Sequence, residues 1–175
     1  MKKRLLSVLF ATACMGGVAV AGAAEFNTSV PMKVKGAATF YVPGHIDGLG
    51  LVELMVDTGS GYMTINEEAL RELKRTNNAR YVRDLRGILA NGSEMVVPVY
   101  RLTAVNIGGN CRINDVEAAV FPGKTRFILG LSVLQKAAPF IFSLEPASLV
   151  LSHCAPGTGE RVAVTVPTTT TTLAK

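Results

Sequence analysis

Tryptophan is absent from this 175-residue chain, aromatic residues make up 6% of it, and histidine occurs twice. With His45 and His153 as the only imidazoles and no Cys-x-x-Cys spacing, neither a metal site nor a cofactor is expected. A strong excess of one charge is lacking too. The formal charge of +5 includes Lys2, Lys3 and Arg4; setting those three aside from 18 basic residues leaves 15 against 13 acidic ones. Nucleic-acid binding asks for a basic stripe with stacking aromatics. The nearest candidate, Lys74, Arg75, Arg80, Arg83 and Arg86, has only Tyr81 among it. It is expected to be a solvated helix end and loop, with no nucleic-acid partner.

What is abundant points to a folded domain. Hydrophobic residues make up 49% and charged residues 18%, enough apolar material for one core. Val, Leu, Ile, Thr and Gly are plentiful, a mixture that leans towards short strands joined by tight turns. The N-terminus reads as an export signal over residues 1–24. Lys2, Lys3 and Arg4 form its positive region, residues 5–20 its apolar region, and Ala21-Gly22-Ala23 a small-x-small pattern for cleavage near Ala23 or Ala24. Gly16 and Gly17 interrupt the apolar run, which is short for a membrane span. A periplasmic or secreted location is expected, with a membrane contact only if this segment is retained or lipidated at Cys14. In an oxidising compartment the remaining cysteines, Cys111 and Cys154, are expected to pair, the alternative being two unlinked thiols.

Along the chain, residues 34–42 read as one strand, Asp47-Gly48 as a hairpin turn, and residues 51–56 as the returning strand. Residues 25–33 are where a restraining prosegment would lie. Asn66 suits an N-cap, with Glu67 and Glu68 at the positive end of a short helix, Lys74 and Arg75 at the other, and Leu70 and Leu73 on its apolar face. Strands are predicted at 87–90, 95–105, 113–121 and 127–129, with turns at Asn91-Gly92 and Gly108-Gly109. A second helix over 131–137 is stopped by Pro139, and a last hairpin joins 140–144 to 149–152. Residues 155–175, with a threonine run at 168–172, are expected to be a disordered tail.

The chemistry-bearing residues gather where the 51–56 strand runs into Asp57-Thr58-Gly59-Ser60. An apolar strand ending in Asp-Thr-Gly sets a carboxylate at a sheet edge beside accessible backbone. A second apolar strand, Phe127-Ile128-Leu129, ends at Gly130 and opens a helix. A serine nucleophile is not suggested, because Thr58 stands where a Gly-x-Ser-x-Gly motif needs its first glycine. Nor is an Asp-x-Asp phosphatase, because Gly59 stands where its second aspartate would be.

Together these motifs resemble the retropepsin-like aspartic proteases, in particular single-domain bacterial periplasmic members. Met55-Val56-Asp57-Thr58-Gly59-Ser60 matches their first motif and Ile128-Leu129-Gly130 their second; Ala90-Asn91-Gly92 and Ile107-Gly108-Gly109 match two intervening turns. The likeness covers roughly residues 34–152 and implies an all-β fold, a small closed barrel-like domain, here 30–153, with one or two short helices. It implies an endopeptidase in which Asp57 is catalytic and a homodimer supplies the second carboxylate, acting on extended polypeptide. By the same resemblance Thr58 bonds across the dimer axis, Gly59 brings its N–H to the Asp57 carboxylate, and Ser60 bonds the outer carboxylate oxygen. Gly130 allows close packing behind the loop, and Ala90, Asn91 and Gly92 belong to a flap over substrate. The alternative from another class is a non-catalytic periplasmic peptide-binding or scaffolding module on the same fold; the intact Asp57-Thr58-Gly59-Ser60 favours the enzyme.

Overall fold

Glycine-rich turns separate short stretches of alternating polarity, and in the computed structural model these stretches close into a ring. The structure describes residues 26–36, 38–88 and 92–155. The expected signal segment, Ala90, Asn91 and all of the expected tail but Ala155 lie outside the described residues. In chain order the elements are β1 (Thr28–Pro31), β2 (Lys33–Lys35), β3 (Thr39–Ile46), β4 (Gly50–Val56), β5 (Met63–Asn66) and α1 (Glu67–Arg75). There follow β6 (Ala79–Ile88), β7 (Glu94–Ile107), β8 (Cys111–Phe121), β9 (Ile128–Leu129) and α2 (Leu131–Leu134), the last continued by a 3-10 turn (Gln135–Ala137). The hairpin β10 (Phe140–Leu144) and β11 (Ala147–Leu151) ends the series.

Strands β3, β4, β9, β5, β8 and β7 are hydrogen-bonded in that order, and β7 returns to β3 through Gly44↔Ile107, His45↔Asn106 and Ile46↔Val105. That closure removes the open edges a flat sheet would present. Its interior is filled by alternate residues of each strand: Val42 and Ile46, Leu54 and Val56, Met63 and Ile65, Leu102, Val116, Ala118 and Leu129 are all buried. A smaller sheet, β1-β11-β10, packs its Leu149 and Leu151 into the same core. The fold is all-β with two short helices, as the resemblance implies.

Helix α1 follows its local signals. The Asn66 side chain accepts a hydrogen bond from the Ala69 N–H, Glu67 and Glu68 occupy the first turn, and Lys74 and Arg75 the last. Ala69, Leu70 and Leu73 are buried against the ring.

Three stretches differ from the sequence reading. Residues 34–42 are not one strand: the chain reverses at Gly36 and Ala38, both at positive φ, so that β2 folds back on β3 with Val34 opposite Phe40. Alternation continues through the turn, and alanine is not a residue that announces φ near +60°. The arginine-rich stretch is not a loop. Arg80, Arg83 and Arg86 lie on β6, paired with β7 from Ala79↔Leu102 to Ile88↔Glu94. As an outer strand beyond the ring it exposes charged side chains, so no apolar alternation marks it. Finally, Thr28–Pro31 is an integral strand whose Val30 is 2% exposed, paired with the far end of the chain at Thr28↔Leu151.

Cys111, at the start of β8, is bonded to Cys154, just after β11, with Cα atoms 4.6 Å apart and a sequence separation of 43. The bond fastens the chain's last described segment to the ring, beside the Arg112↔Ala155 bridge. Replacing both cysteines by serine is expected to lower unfolding free energy by about 2–4 kcal/mol, chiefly through the enlarged unfolded ensemble. Urea denaturation of the two proteins measures the difference.

Candidate active site

Strand β9 is only two residues long, yet the site is built on it. It runs parallel to β4 (Met55↔Ile128, Val56↔Leu129) and touches β5 on its other side at Thr64↔Ile128. Since β4 and β5 flank it, the segment that joins them, residues 57–62, has to cross the end of β9, where Gly130 lies. Backbone bonds fix the crossing. The Asp57 N–H donates to the Leu129 carbonyl (3.2 Å), and the Leu131 and Ser132 N–H groups donate to the carbonyls of Ser60 (2.8 Å) and Gly61 (3.0 Å). The first amides of α2, which have no partners within a helix, thus find them in the loop.

Gly130 is what this crossing requires. A Cβ placed there would stand 2.2 Å from the Tyr62 carbonyl oxygen and 2.8 Å from that of Ser60. The neighbours are backbone and cannot swing aside.

Asp57 follows β4 directly and is half-buried, with Thr58 and Gly59 exposed beside it. The Gly59 N–H donates to Asp57 Oδ1 at 2.9 Å. Ser60 does not bond the outer carboxylate oxygen, as the resemblance implies; its hydroxyl donates to the Tyr62 carbonyl (2.8 Å) and closes the turn on itself. Ile128 is half-buried and Leu129 fully buried behind the loop. Gly92, the described part of the expected flap, sits at φ +80° in the connection between β6 and β7, a conformation suited to glycine.

The other aspartates have different surroundings. Asp47 takes two hydrogen bonds from Arg112, at 3.1 and 2.5 Å. Asp84 lies on β6 opposite Pro98. Asp115 lines a recess of about 290 Å³ with Arg101, Glu117, Ser132 and Lys136. A groove of about 700 Å³ between β4 and α1, lined by Leu49, Val52, Ala69 and Phe127 among others, does not include the Asp57 loop.

Beside the loop lies a charged cluster that the sequence reading did not single out. Arg83 Nη2 donates to the Tyr62 hydroxyl and to Glu117 Oε2, both at 2.8 Å, while Arg101 donates to Glu117 Oε1 at 3.0 Å. The Ser132 hydroxyl donates to the Glu117 carbonyl and accepts from the Met63 N–H, each at 2.8 Å. The hydrogen bond from Arg83, reinforced by that from Arg101, holds the Glu117 carboxyl below the usual carboxylate range against the opposing pull of partial burial. Ser132 had one weak signal, its place two residues after Gly130; Arg83 and Glu117 had none, since only tertiary register brings them together.

Residues 42–133 match a family model described as aspartyl protease, more than half of the chain and all of the loop and strands just described. The chain belongs to the aspartyl protease family. No curated protein matches this aspartyl protease. Among solved structures, it is similar to a retropepsin-like aspartic protease from Rickettsia conorii. The two are 20% identical, the match covers 73% of this chain and 92% of that one, and the TM-score is 0.54. At that identity the likeness establishes the retropepsin-like fold of the aspartyl protease.

Two outcomes follow for stability. Gly130→Ala is expected to destabilise by about 1–3 kcal/mol or more, because backbone has to move to admit the methyl group; thermal unfolding of the variant measures it. Glu117→Gln is expected to cost about 1 kcal/mol at neutral pH. Because folding depresses the Glu117 pKa, the stability it contributes is present above the ordinary carboxylate range and lost as pH falls through the depressed value. The gap between wild type and variant should therefore close in denaturation curves taken at successively lower pH.

Proposed function

We propose that this aspartyl protease is an endopeptidase whose active site forms between two copies of the chain, each giving one Asp57. The observation that carries the reading is that the sequence has a single Asp-Thr-Gly, its loop set at the end of a barrel strand with a backbone N–H on its carboxylate. Hydrolysis without a covalent intermediate needs a base for the attacking water and an acid for the scissile carbonyl. Two carboxylates about 3 Å apart cannot both ionise and share one proton, so one symmetric pair supplies both. The ionised member takes the water's proton, the protonated member polarises the carbonyl, and the proton returns to the leaving amine.

A two-fold axis through the Asp57 loops brings the pair together, with the exposed Thr58 at the axis. Extended polypeptide is the substrate, held as an added strand beneath the β6–β7 hairpin, which acts as the flap and excludes water. The N-terminal segment directs the chain to the periplasm or the outside, a setting in which the Cys111–Cys154 bond persists.

Asp57→Asn is expected to abolish cleavage of a peptide library while circular dichroism stays unchanged. Specific activity of the wild type is expected to fall on dilution, because below the dimer dissociation constant the dimer scales with the square of protein concentration. Excess Asp57→Asn protein should poison the wild type, since a mixed dimer has one ionisable Asp57. Constant specific activity over a wide dilution range, with a monomeric mass in sedimentation, would show that one chain suffices.

A further inference from the structure

We propose that Arg83 is a positioning residue for the peptidase reaction, coupling the strand that enters the β6–β7 hairpin to the loop that carries Asp57. The inference rests on the function proposed above and adds to it a residue outside every motif in the sequence.

The geometry begins with one extra residue. The register between β6 and β7 is Tyr81↔Tyr100 and then Arg83↔Val99, so Val82 is a bulge. Without it, Tyr81 and Arg83 would share a face, as residues two apart in a strand do. With it, Tyr81 stays edge-to-face on Tyr100 at 5.6 Å, and Arg83 turns to the opposite face. That face carries Val99 and Ala119, paired with each other, and Arg101 and Glu117, also paired. The bulge therefore delivers a guanidinium to a carboxylate two strands away.

Arg83 then reaches further than Glu117. In the sheet order β5-β8-β7-β6, Tyr62 and Arg83 stand three strand spacings apart, roughly 14 Å along a flat sheet. Two long side chains laid toward each other span it, above Val99 and Ala119, which are 0% and 2% exposed. The two hydrogens of Nη2 serve one partner each, and the guanidinium carbon lies 5.8 Å from the Tyr62 ring centre. A lysine ammonium lacks this planar fork.

Tyr62 is also the residue on which the loop closes. Its carbonyl accepts the Ser60 hydroxyl and presses on Gly130, while the next residue, Met63, bonds Ser132, which bonds Glu117 in turn. Arg83 thus meets the loop by two routes, through the Tyr62 hydroxyl and through Glu117 and Ser132. A hairpin free to shift against Asp57 would misplace the substrate between them, and small misplacements of reacting groups are costly in rate.

The test uses the full dimeric protein, above its dimerisation midpoint, on a quenched peptide taken from a wild-type library digest. Arg83→Met and Tyr62→Phe are each expected to lower kcat roughly tenfold with KM changed less than about twofold, well below the unfolding midpoint of each variant. The double variant should be no slower than Arg83→Met alone, because Tyr62→Phe removes only a hydrogen bond that Arg83→Met has already removed. Should Arg83→Met not fold, Tyr62→Phe, which deletes one hydroxyl, carries the test by itself. Wild-type kcat in the folded single variants, or losses that add in the double, would overturn the proposal. Asp57→Asn in the same assay separates the two readings: if it is inactive while the Arg83 and Tyr62 variants are unimpaired, only the positioning role fails; if it is active, the shared-carboxylate reading itself fails.

Discussion

The carbonyl oxygens of Tyr62 and Ser60 lie so close to Gly130 that a Cβ there would stand 2.2 and 2.8 Å from them. That approach is forced by topology. A two-residue strand is flanked by β4 and β5, the strands that precede and follow the Asp57 loop, so the loop crosses over its end at backbone distance. The remainder of the site follows from it. The loop's carbonyls are spent on the first amides of α2, the Asp57 N–H is spent on Leu129, and the Gly59 N–H is left to meet the carboxylate. A larger residue at 130 would push the loop outward and release all of these bonds together.

The same crossing puts the Asp57 loop where the proposed pairing of two copies needs it. The loop reaches the surface of the ring with Thr58 and Gly59 exposed, and the carboxylate accepts the Gly59 N–H from within its own turn. Asp47 is bound by Arg112 through two hydrogen bonds, away from the loop. A carboxylate supplied across a symmetry axis needs no additional residue in the sequence, only a surface that meets its own copy.

How much of this the sequence discloses depends on how local the cause is. The Asp57 loop and the Gly130 turn are legible because strand, turn residues and glycine lie within a few positions of one another. Helix α1 is legible for the same reason: its cap, its charged ends and its apolar face are all read from consecutive residues. Strand β1 is four residues long and exists only because Leu151 and its neighbours pair with it. Strand β6 carries charges on an outer position of the sheet, where burial imposes no alternation, so its arginines resemble a loop. The hairpin at Gly36 and Ala38 hides inside an unbroken alternation. Ser60 has the residue type its expected partner needs, yet in the folded turn its hydroxyl donates to the Tyr62 carbonyl.

The charged cluster beside the loop also suits the conditions that the proposed chemistry demands. A proton shared between two carboxylates operates on the acidic side of neutrality, where exposed surface carboxylates begin to lose their charge and their ion pairs weaken. Glu117 is held below the usual range by Arg83 and Arg101, and both guanidinium groups stay charged throughout. A clamp built on an ordinary exposed Asp–Lys pair would loosen as the dyad became active. One built on a carboxylate between two arginines keeps its hydrogen bonds to lower pH, so the loop crossing and the hairpin strand remain tied while the shared proton is in place.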